Sequence, residues 1–243
     1  MSSRPVHYVP KTVDPYSSHV RLARLLDAHL GDRPAPRILD VGCAAGLIKT
    51  TALALDLPVA IRATWVGLDT DPAVLAAAAA TGMTTHRLDL ATDPLPDLGP
   101  RFDALLFGDV LEHLPDPVTT LRRLLAAAAR PDALVLASLP NVAHVSVRLQ
   151  LLAGRFTYAA RGIVDRTHLR FFTRRTAVAL LRDAGLRITD VVPTPVPLHL
   201  ALPNLPAAIL VPLHRCAYGL TRAWPTLFAF QFVIAARPDT IGP

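Results

Sequence analysis

The sequence has few cysteines, and it lacks both a long apolar run and an apolar leader. Its 243 residues include two cysteines, Cys43 and Cys216, which are too few for a disulfide framework and lack the spacing of a metal site. No segment approaches the roughly 18 uninterrupted apolar residues that a membrane span requires. The first residues contain no signal-peptide core. We therefore expect a cytoplasmic protein without transmembrane segments.

Charged side chains are also scarce, at 18% of the chain against 51% hydrophobic residues, and they are unevenly distributed. The net charge of +6 arises between Asn141 and Arg175, where seven arginines accompany a single acid, Asp165. The rest of the chain carries 18 basic and 18 acidic residues and is neutral. An evenly basic chain would favour nucleic acid as a partner, whereas one basic segment favours a local site for an anion.

Segments with the apolar spacing of strands alternate with segments of helical spacing along most of the chain. We predict helices over 17–30, 47–55, 72–80, 117–129 and 174–184, and strands over 37–41, 64–68, 84–88, 102–107, 133–139, 187–192 and 228–236. This alternation predicts an α/β fold with a mainly parallel sheet and helices on both faces. The length allows one large domain or two small ones.

Two long segments interrupt the alternation. Residues 141–172 contain most of the excess arginine, and residues 193–226 are rich in proline, leucine and alanine. We accordingly divide the chain into an N-terminal extension with a helix (1–34), a core that includes the arginine-rich insertion (35–192), and an apolar insertion with the last strand (193–243). Both insertions are expected near the carboxyl ends of the strands, where open α/β sheets bind ligands.

The most informative segment is the turn that follows the first predicted strand. Gly42, Ala44 and Gly46 allow a ligand to approach the backbone, and the helix behind them directs its free N–H groups at the turn. Asp40 adds a negative charge, so a ligand with an ammonium and a carboxylate on one carbon fits both features. The glycine spacing differs from the Gly-x-Gly-x-x-Gly of dinucleotide-binding dehydrogenases, and no Lys-Ser/Thr pair of a nucleoside triphosphatase follows it.

Four short segments at the predicted strand ends carry a resemblance to a known family. They are Leu39-Asp40-Val41-Gly42-Cys43-x-x-Gly46, Trp65-Val66-Gly67-Leu68-Asp69-Thr70-Asp71, His86-Arg87-Leu88-Asp89-Leu90, and Phe102-Asp103 with Gly108-Asp109-Val110-Leu111-Glu112-His113-Leu114. Together they resemble the motifs of class I S-adenosylmethionine-dependent methyltransferases, over roughly residues 15–190. The sequence departs from the family at Ala44, where glycine is usual, and in a longer spacing between the first two strands, which we attribute to an insertion at 56–63.

The resemblance implies a Rossmann-like class I methyltransferase sheet, mostly parallel with seven strands, and S-adenosylmethionine as the cofactor. In this family the acid after the second strand bonds both ribose hydroxyls, and the acid after the third strand bonds the adenine amino group; these acids are Asp69 and Asp89. The cofactor-binding residues that the resemblance implies are Asp40, Gly42, Cys43, Ala44, Gly46, Asp69, Thr70, Asp89, Leu90, Asp109 and Val110. Taken singly, Asp40 is equally explained as a strand-end acid, and Asp69 as a cap of the next helix.

Two histidines are the candidate catalytic residues, because methyl transfer to a hydroxyl is helped by a base. We expect His113, which follows the fourth strand, to shape the pocket, and we take His168 as the candidate base. The string Val164-Asp165-Arg166-Thr167-His168-Leu169-Arg170-Phe171-Phe172-Thr173 resembles a signature of one bacterial branch of these methyltransferases, often associated with cell-surface glycan or natural-product pathways. The alternative is that Asp165 and Thr173 cap helices while His168 bonds the backbone.

Four arginines of the basic segment are the candidate substrate-binding residues: Arg155, Arg161, Arg166 and Arg170. Arginine recognises phosphate and carboxylate in a bidentate manner, and the alternative is a solvated basic face. The apolar insertion resembles a helix pair that covers the acceptor pocket, with a dimer contact or a peripheral membrane contact as alternatives. Nucleic acid is not expected as a partner, because no motif of DNA or RNA methylation is present.

These patterns together predict an enzyme that methylates a hydroxyl of a small-molecule or glycan-like acceptor. N-methylation of a small amine and a non-catalytic, cofactor-binding partner protein of the same fold are the alternatives. An arginine-rich pocket beside an apolar cover suits a lipid-linked phosphosugar. No metal is expected, because the cofactor explains the acids and no further cluster of Asp and Asn remains. The oligomeric state stays open.

Overall fold

Strands and helices alternate through residues 14–239, the part of the chain that the computed structural model describes. The strands are β1 (Arg37–Val41), β2 (Thr64–Asp69), β3 (Thr84–Arg87), β4 (Phe102–Gly108), β5 (Ala129–Pro140), β6 (Leu186–Thr194) and β7 (Gln231–Pro238). The helices are α1 (Ser18–Leu30), α2 (Leu47–Ala54), α3 (Pro58–Arg62), α4 (Pro72–Ala80), α5 (Pro117–Ala128), α6 (Val145–Leu152), α7 (Arg174–Asp183), α8 (Leu198–Ala201), α9 (Ala207–Ala223) and α10 (Pro225–Phe228). A 3₁₀ helix spans Leu111–His113.

The seven strands form one sheet in the order β3-β2-β1-β4-β5-β7-β6. The pairs β3–β2, β2–β1, β1–β4 and β4–β5 are parallel, whereas β7 is antiparallel to both β5 and β6. The predicted seven-stranded, mostly parallel sheet is therefore confirmed. Its strand order reverses between β1 and β4, and open α/β sheets bind ligands at such a switch point, outside the carboxyl ends of the strands.

Two apolar layers pack against the sheet, which explains why its central strands are apolar on both faces. Leu39 and Leu105 belong to the layer that includes α5 and α7, and Ile38 and Leu106 belong to the layer that includes α1 and α2. Side chains alternate between the two faces along a strand. Asp40 therefore shares the face of Ile38 and lies beneath α1 and α2.

Short side-chain caps begin the helices that follow β2 and β4 and the helix that precedes β6. Asp71 and Asp116 accept hydrogen bonds from the first turns of α4 and α5, each with proline at the first helical position. Thr173 begins α7 through a reciprocal capping box with Thr176. Each cap fixes where the chain leaves the carboxyl edge of the sheet and so positions the loops that contain the predicted site residues.

The predicted insertions contain additional helices. Residues 56–63 include α3, residues 141–172 include α6, and residues 193–226 include α8, α9 and the start of α10. The predicted helix pair is a single 17-residue helix, α9, flanked by two four-residue helices. Among residues 14–239, no helix is both long and apolar enough to cross a membrane.

Candidate active site

The turn after β1 adopts left-handed backbone conformations at three positions. Gly42 and Gly46 have φ angles of +67° and +71°, and Ala44 has a φ angle of +47°. A Cβ added at Gly42 would lie 2.3 Å from Cγ2 of Val110, so both the φ angle and this close approach require glycine. Ala44 occupies the position where the resembled motif has glycine. Its left-handed conformation costs an L-residue about 1–2 kcal/mol.

Asp69, at the end of β2, holds this turn in place. Its Oδ2 accepts a hydrogen bond from the N–H of Ala44 at 2.9 Å, and its Oδ1 accepts from the N–H groups of Thr70 and Asp71 at 2.8 and 3.1 Å. The capping role considered for Asp69 belongs to Asp71, whose side chain accepts from the N–H of Ala73. Asp69 therefore joins the ends of β1 and β2, next to the switch point between β1 and β4.

A cavity of about 270 Å³ lies at the carboxyl ends of β1 to β4. Its lining residues are Gly42, Leu68, Asp69, Thr70, Leu88, Asp89, Leu90, Ala91, Asp109, Val110, His113, Leu114 and Pro115. The residues predicted to bind ribose and adenine, Asp69 and Asp89, therefore line one cavity together with the candidate catalytic residue His113.

Asp40 lies in a separate, narrow space that it shares with Gly42, Ala44 and His19 of α1. Its side chain is buried, and neither carboxylate oxygen has a hydrogen-bond partner among residues 14–239. Burial and, to a smaller extent, the charge of Asp69 raise the pKa of Asp40 to about 8. A buried carboxylate is costly without a partner, so a cationic group of a ligand would stabilise the ionised form of Asp40.

The carboxylate of Asp109, after β4, is fixed by side chains from β5 and β7. Its Oδ1 accepts hydrogen bonds from Oγ of Ser138 and from Nε2 of Gln231, the latter at 2.9 Å. The N–H of Asp109 in turn donates to Oγ of Ser138 at 3.0 Å. Asp109 has a φ angle of +58°, and these bonds hold it in that conformation at the wall of the cavity.

Asp89 is exposed at the rim of the cavity, in an acidic turn. Its Oδ1 accepts from the N–H of Ala91 at 2.9 Å, and its own N–H donates to Oδ2 of Asp93 at 2.8 Å. Asp89 thus shapes the turn after β3 while it lines the cavity, so its role toward adenine stays a prediction.

Cys43 is a packing residue in this arrangement. Its side chain is buried, and a Cβ added at Gly67 of β2 would lie 2.6 Å from its Sγ. Burial raises the pKa of the thiol, and the charges of Asp40 and Asp69 raise it further. A thiol in these surroundings stays protonated and is not a nucleophile.

His113 and His168 lie side by side although they are distant in the sequence. Their rings meet edge to face with centroids 4.9 Å apart. Nδ1 of His113 lies 3.2 Å from the carbonyl oxygen of Thr167, and Nδ1 of His168 lies 3.1 Å from that of Ile163. Because a carbonyl can only accept, each Nδ1 carries the proton and each Nε2 of the neutral ring presents a lone pair.

Glu112 adjoins this pair and connects the two segments. The backbone carbonyl of Glu112 accepts from the N–H groups of Leu169 and Arg170 at 2.9 and 3.0 Å. One ligating atom from each of Glu112, His113 and His168 lies within 4.8 Å of the others, and the glutamate is buried. The 3₁₀ helix and the loop around His168 therefore form one cluster, of which His113 lines the cavity.

The surroundings of His168 favour its neutral form. Burial lowers the pKa of His168, and the neighbouring His113 lowers it further. The hydrogen bond to the carbonyl of Ile163 and the charges of Asp165 and Asp109 raise this pKa and so offset part of the decrease. Asp165 accepts from the N–H and the hydroxyl of Thr167 in the loop. Of the alternative roles considered, the backbone bond of His168 and the cap by Thr173 are both present in the structure.

The four candidate substrate arginines are exposed and do not line the cavity formed by the described residues. Arg170 donates from Nε and from its terminal nitrogen to the carbonyl of Pro115, which does line the cavity. Arg155, Arg161 and Arg166 lie on the exposed side of the loop that follows α6. The structure therefore brings one of the four close to the cavity, and their role toward an anionic acceptor stays a prediction.

Comparison with known proteins identifies the family of the chain. A model of the methyltransferase domain family matches residues 16–191, well over half of the chain. The chain belongs to the methyltransferase domain family. It is an S-adenosylmethionine-dependent methyltransferase, so the predicted enzyme class and cofactor are confirmed.

Curated relatives of this methyltransferase include O-methyltransferases. The ubiquinone biosynthesis O-methyltransferase of Xanthomonas axonopodis pv. citri (strain 306) is 28% identical over 162 residues, which are 64% of each chain. The trans-aconitate 2-methyltransferase of Deinococcus radiodurans is 34% identical over 128 residues, which are 52% of this chain and 47% of that relative. The chain thus spans less than two thirds of the length of these relatives.

Solved structures share the fold at low sequence identity. The magnesium protoporphyrin IX methyltransferase of Synechocystis PCC 6803, solved with bound SAH, has 17% identity and a TM-score of 0.60, covering 98% of this chain and 90% of that one. A [4+2]-cyclase has 20% identity and a TM-score of 0.55, covering 90% of this chain and 81% of that one. Because proteins with different reactions share it, the fold alone does not identify the acceptor.

Several residues of the site carried little signal in the sequence. His19, Ser138 and Gln231 reach the site only through the packing of α1, β5 and β7 around it. Glu112 offered a compositional signal, because it is the only glutamate among the 19 acidic residues of the chain. A chain that otherwise uses aspartate places its one longer carboxylate beside the two candidate catalytic histidines.

Proposed function

We propose that this methyltransferase transfers a methyl group to a hydroxyl oxygen of a small-molecule or glycan-like acceptor. The observation that carries the proposal is the pair of adjacent imidazoles of His113, which lines the cavity of the predicted cofactor residues, and His168, whose ring meets that of His113 edge to face. An amine needs only to be uncharged to attack a methyl group, whereas a hydroxyl profits from groups that assist its deprotonation. Such groups are present here.

The described residues fit the cofactor at both of its polar ends. Asp69 and Asp89 line the cavity and would accept hydrogen bonds from the ribose hydroxyls and the adenine amino group. Asp40 lies in the narrow space that shares Gly42 with this cavity, and its carboxyl group, which has no hydrogen-bond partner among residues 14–239, would pair with the methionine ammonium. The cofactor supplies a methyl group that is already activated on sulfur. The chain therefore has to align the acceptor oxygen, which is worth up to about 7–11 kcal/mol of the barrier when the reacting atoms are well oriented.

The transfer balances without any further reactant. A bond forms between the acceptor oxygen and the methyl carbon while the carbon–sulfur bond breaks, and its electron pair stays on sulfur. The hydroxyl proton passes to solvent on the side of His113 and His168. The names of the two curated relatives support an acceptor oxygen, since one is an O-methyltransferase and the other acts on trans-aconitate.

The class of acceptor and the bacterial branch remain finer proposals. An arginine-rich loop beside an apolar cover suits a lipid-linked or phosphorylated sugar, and exposed apolar side chains on α6 and α9, such as Leu152 and Ile209, agree with an apolar or peripheral membrane contact near the site. The same proposal includes a cytoplasmic location and a glycan or natural-product pathway. It also includes a role for residues 193–226 as a cover of the acceptor pocket.

Transfer of a labelled methyl group to a panel of phosphorylated, sugar, phenol and amine acceptors tests the reaction. We expect label on oxygen, and we expect the His168→Ala variant to lose about 10²–10⁴-fold in turnover because assistance to deprotonation is lost. Calorimetric affinity for S-adenosylmethionine should stay within a few-fold of the wild type. His29→Ala, at an exposed histidine in the last turn of α1, is the matched control and should behave as the wild type.

Two results would contradict the proposal. Label recovered on nitrogen, with turnover unchanged in His168→Ala, would favour N-methylation of an amine. Cofactor binding without transfer to any acceptor class would instead favour a non-catalytic, cofactor-binding partner protein.

A further inference from the structure

We propose that Glu112, His113 and His168 form a binding site for one divalent transition-metal ion next to the cofactor cavity, which His113 lines. One ligating atom of each residue lies within 4.8 Å of the others. Two imidazole nitrogens and one carboxylate oxygen are a ligand set that first-row divalent ions such as Zn²⁺, Mn²⁺, Fe²⁺ and Co²⁺ accept, with open positions left for a further ligand. From the sequence we expected no metal, because no additional cluster of Asp and Asn is present. A site made of one glutamate and two histidines does not need such a cluster.

Both histidines are already oriented as metal ligands. A metal-binding histidine typically donates its second ring N–H to a carbonyl or carboxylate, which fixes the tautomer and the ring orientation. His113 and His168 each make such a bond through Nδ1, to the carbonyls of Thr167 and Ile163. Their Nε2 lone pairs are therefore available to a cation.

The backbone brings the three side chains together independently of any ion. The carbonyl of Glu112 accepts from the N–H groups of Leu169 and Arg170, which joins the His168 loop to the 3₁₀ helix. The spread of up to 4.8 Å between ligating atoms is wider than the roughly 3.0–3.5 Å that bonds of about 2.0–2.2 Å to one ion allow. His113 and His168 are only half-buried, which leaves room for the small side-chain shifts that would close this gap while both Nδ1–H bonds are kept.

The electrostatic surroundings also favour a cation. Glu112 is a buried carboxylate, and Asp109 and Asp165 lie close enough to act electrostatically on His168. The carboxylate of Asp109 is held by Ser138 and Gln231, so it contributes fixed negative charge without being needed as a ligand. This negative charge would attract a divalent ion to the cluster.

The inference rests on the proposed function for its chemical consequence. An acceptor hydroxyl that occupies an open position of the ion loses its proton more readily, since a bound divalent cation lowers the pKa of a coordinated oxygen. The proton then passes to solvent, and His168 acts as a ligand to the ion. One lone pair of His168 cannot both hold an ion and accept a proton, so this role and that of a base exclude each other.

Metal binding can be measured without cofactor or acceptor. We would titrate the full chain, carrying no histidine tag and freed of metal by chelator, with Co²⁺ and follow the visible absorption of the bound ion, with Zn²⁺ as a competitor. We expect one ion per chain and an intensity typical of four or five ligands. Glu112→Gln and His168→Ala should each weaken binding by at least about 10–100-fold, whereas His29→Ala should bind as the wild type.

Calorimetry with S-adenosylmethionine on the same samples separates the possible failures. A variant that keeps its affinity for the cofactor is folded. If His168→Ala loses this affinity, the Co²⁺ titration is repeated with His113→Gln. The metal site is overturned if the wild type gives no Co²⁺ spectrum, or if folded variants bind as tightly as the wild type. A wild type that binds Co²⁺ but does not transfer methyl groups would contradict the proposed function and leave the metal site supported.

Discussion

Asp40→Asn is expected to stabilise the cofactor-free protein at neutral and alkaline pH while it weakens cofactor binding. The carboxyl group of Asp40 is buried, and its two oxygens have no hydrogen-bond partner among residues 14–239. Its pKa is raised from 3.8 to about 8 in the folded protein. An amide of the same shape removes the cost of ionising this group, and it also removes the charge that we expect to pair with the methionine ammonium.

The sign of the pH dependence follows from the raised pKa. Between about pH 4 and pH 8 the folded wild type binds a proton at Asp40 that the unfolded chain has released. Its free energy of unfolding therefore falls as the pH rises through this window, by up to about 1.4 kcal/mol per pH unit. Urea unfolding at pH 5 and at pH 8 should show an advantage of the Asp40→Asn variant over the wild type that grows by a few kcal/mol with pH.

Cofactor binding should respond in the opposite direction. At pH 7 Asp40 is mostly protonated in the free protein, so pairing with an ammonium must release a proton. Calorimetry of wild type with S-adenosylmethionine, in two buffers that differ in ionisation enthalpy, should detect this release. In Asp40→Asn the release should disappear, and affinity should fall by about 10–100-fold, the range of one charged hydrogen bond. Equal affinity and equal proton release in both proteins would contradict the assignment of Asp40.

Gly42→Ala is expected to destabilise the protein and to impair cofactor binding, because it affects the centre of the turn after β1. The added Cβ meets Cγ2 of Val110 at 2.3 Å, and the φ angle of +67° is strained for alanine. We expect a loss of roughly 2–4 kcal/mol, of which about 1–2 comes from the φ angle and the remainder from overpacking. Urea denaturation measures the loss, and calorimetry measures the accompanying fall in cofactor affinity.

The chain provides a matched control and a rescue for this substitution. Gly154 has a φ angle of +69°, but nothing lies within 4 Å of an added Cβ, so Gly154→Ala isolates the conformational cost of about 1–2 kcal/mol. Val110→Ala removes the clashing methyl groups and should restore part of the stability of Gly42→Ala. If the two changes are additive in a double-mutant cycle, the close approach of Val110 is not the cause.

The positions of the strands along the chain and the turn after β1 could be predicted from the sequence because their signals are local. Runs such as Ile38-Leu39 next to small residues mark a buried strand and the turn behind it, and the structure has both at the predicted positions. The acids at the ends of β2 and β3 follow from the same alternation, since parallel strands end at one edge of the sheet. Asp69 and Asp89 accordingly line one cavity.

The acceptor side could not be predicted in the same way, because it is built by contacts between distant segments. His168 reaches His113 only because the loop that contains it is bonded to the carbonyl of Glu112. Gln231 reaches Asp109 from the last strand of the sheet. The spacing of residues in the sequence does not predict such contacts. The charge pattern indicated the exposed arginines instead, and the cluster of Glu112, His113 and His168 was not predicted as a unit.

The most direct test of the account is a crystal structure of the chain with bound S-adenosylhomocysteine. We predict that the ribose hydroxyls lie within about 2.7–3.2 Å of the carboxylate of Asp69, as hydrogen bonds require. The homocysteine ammonium should meet Asp40, and the sulfur should face the side of His113 and His168. A product bound elsewhere, or with its homocysteine end directed away from Asp40 and the histidine pair, would contradict the proposed site.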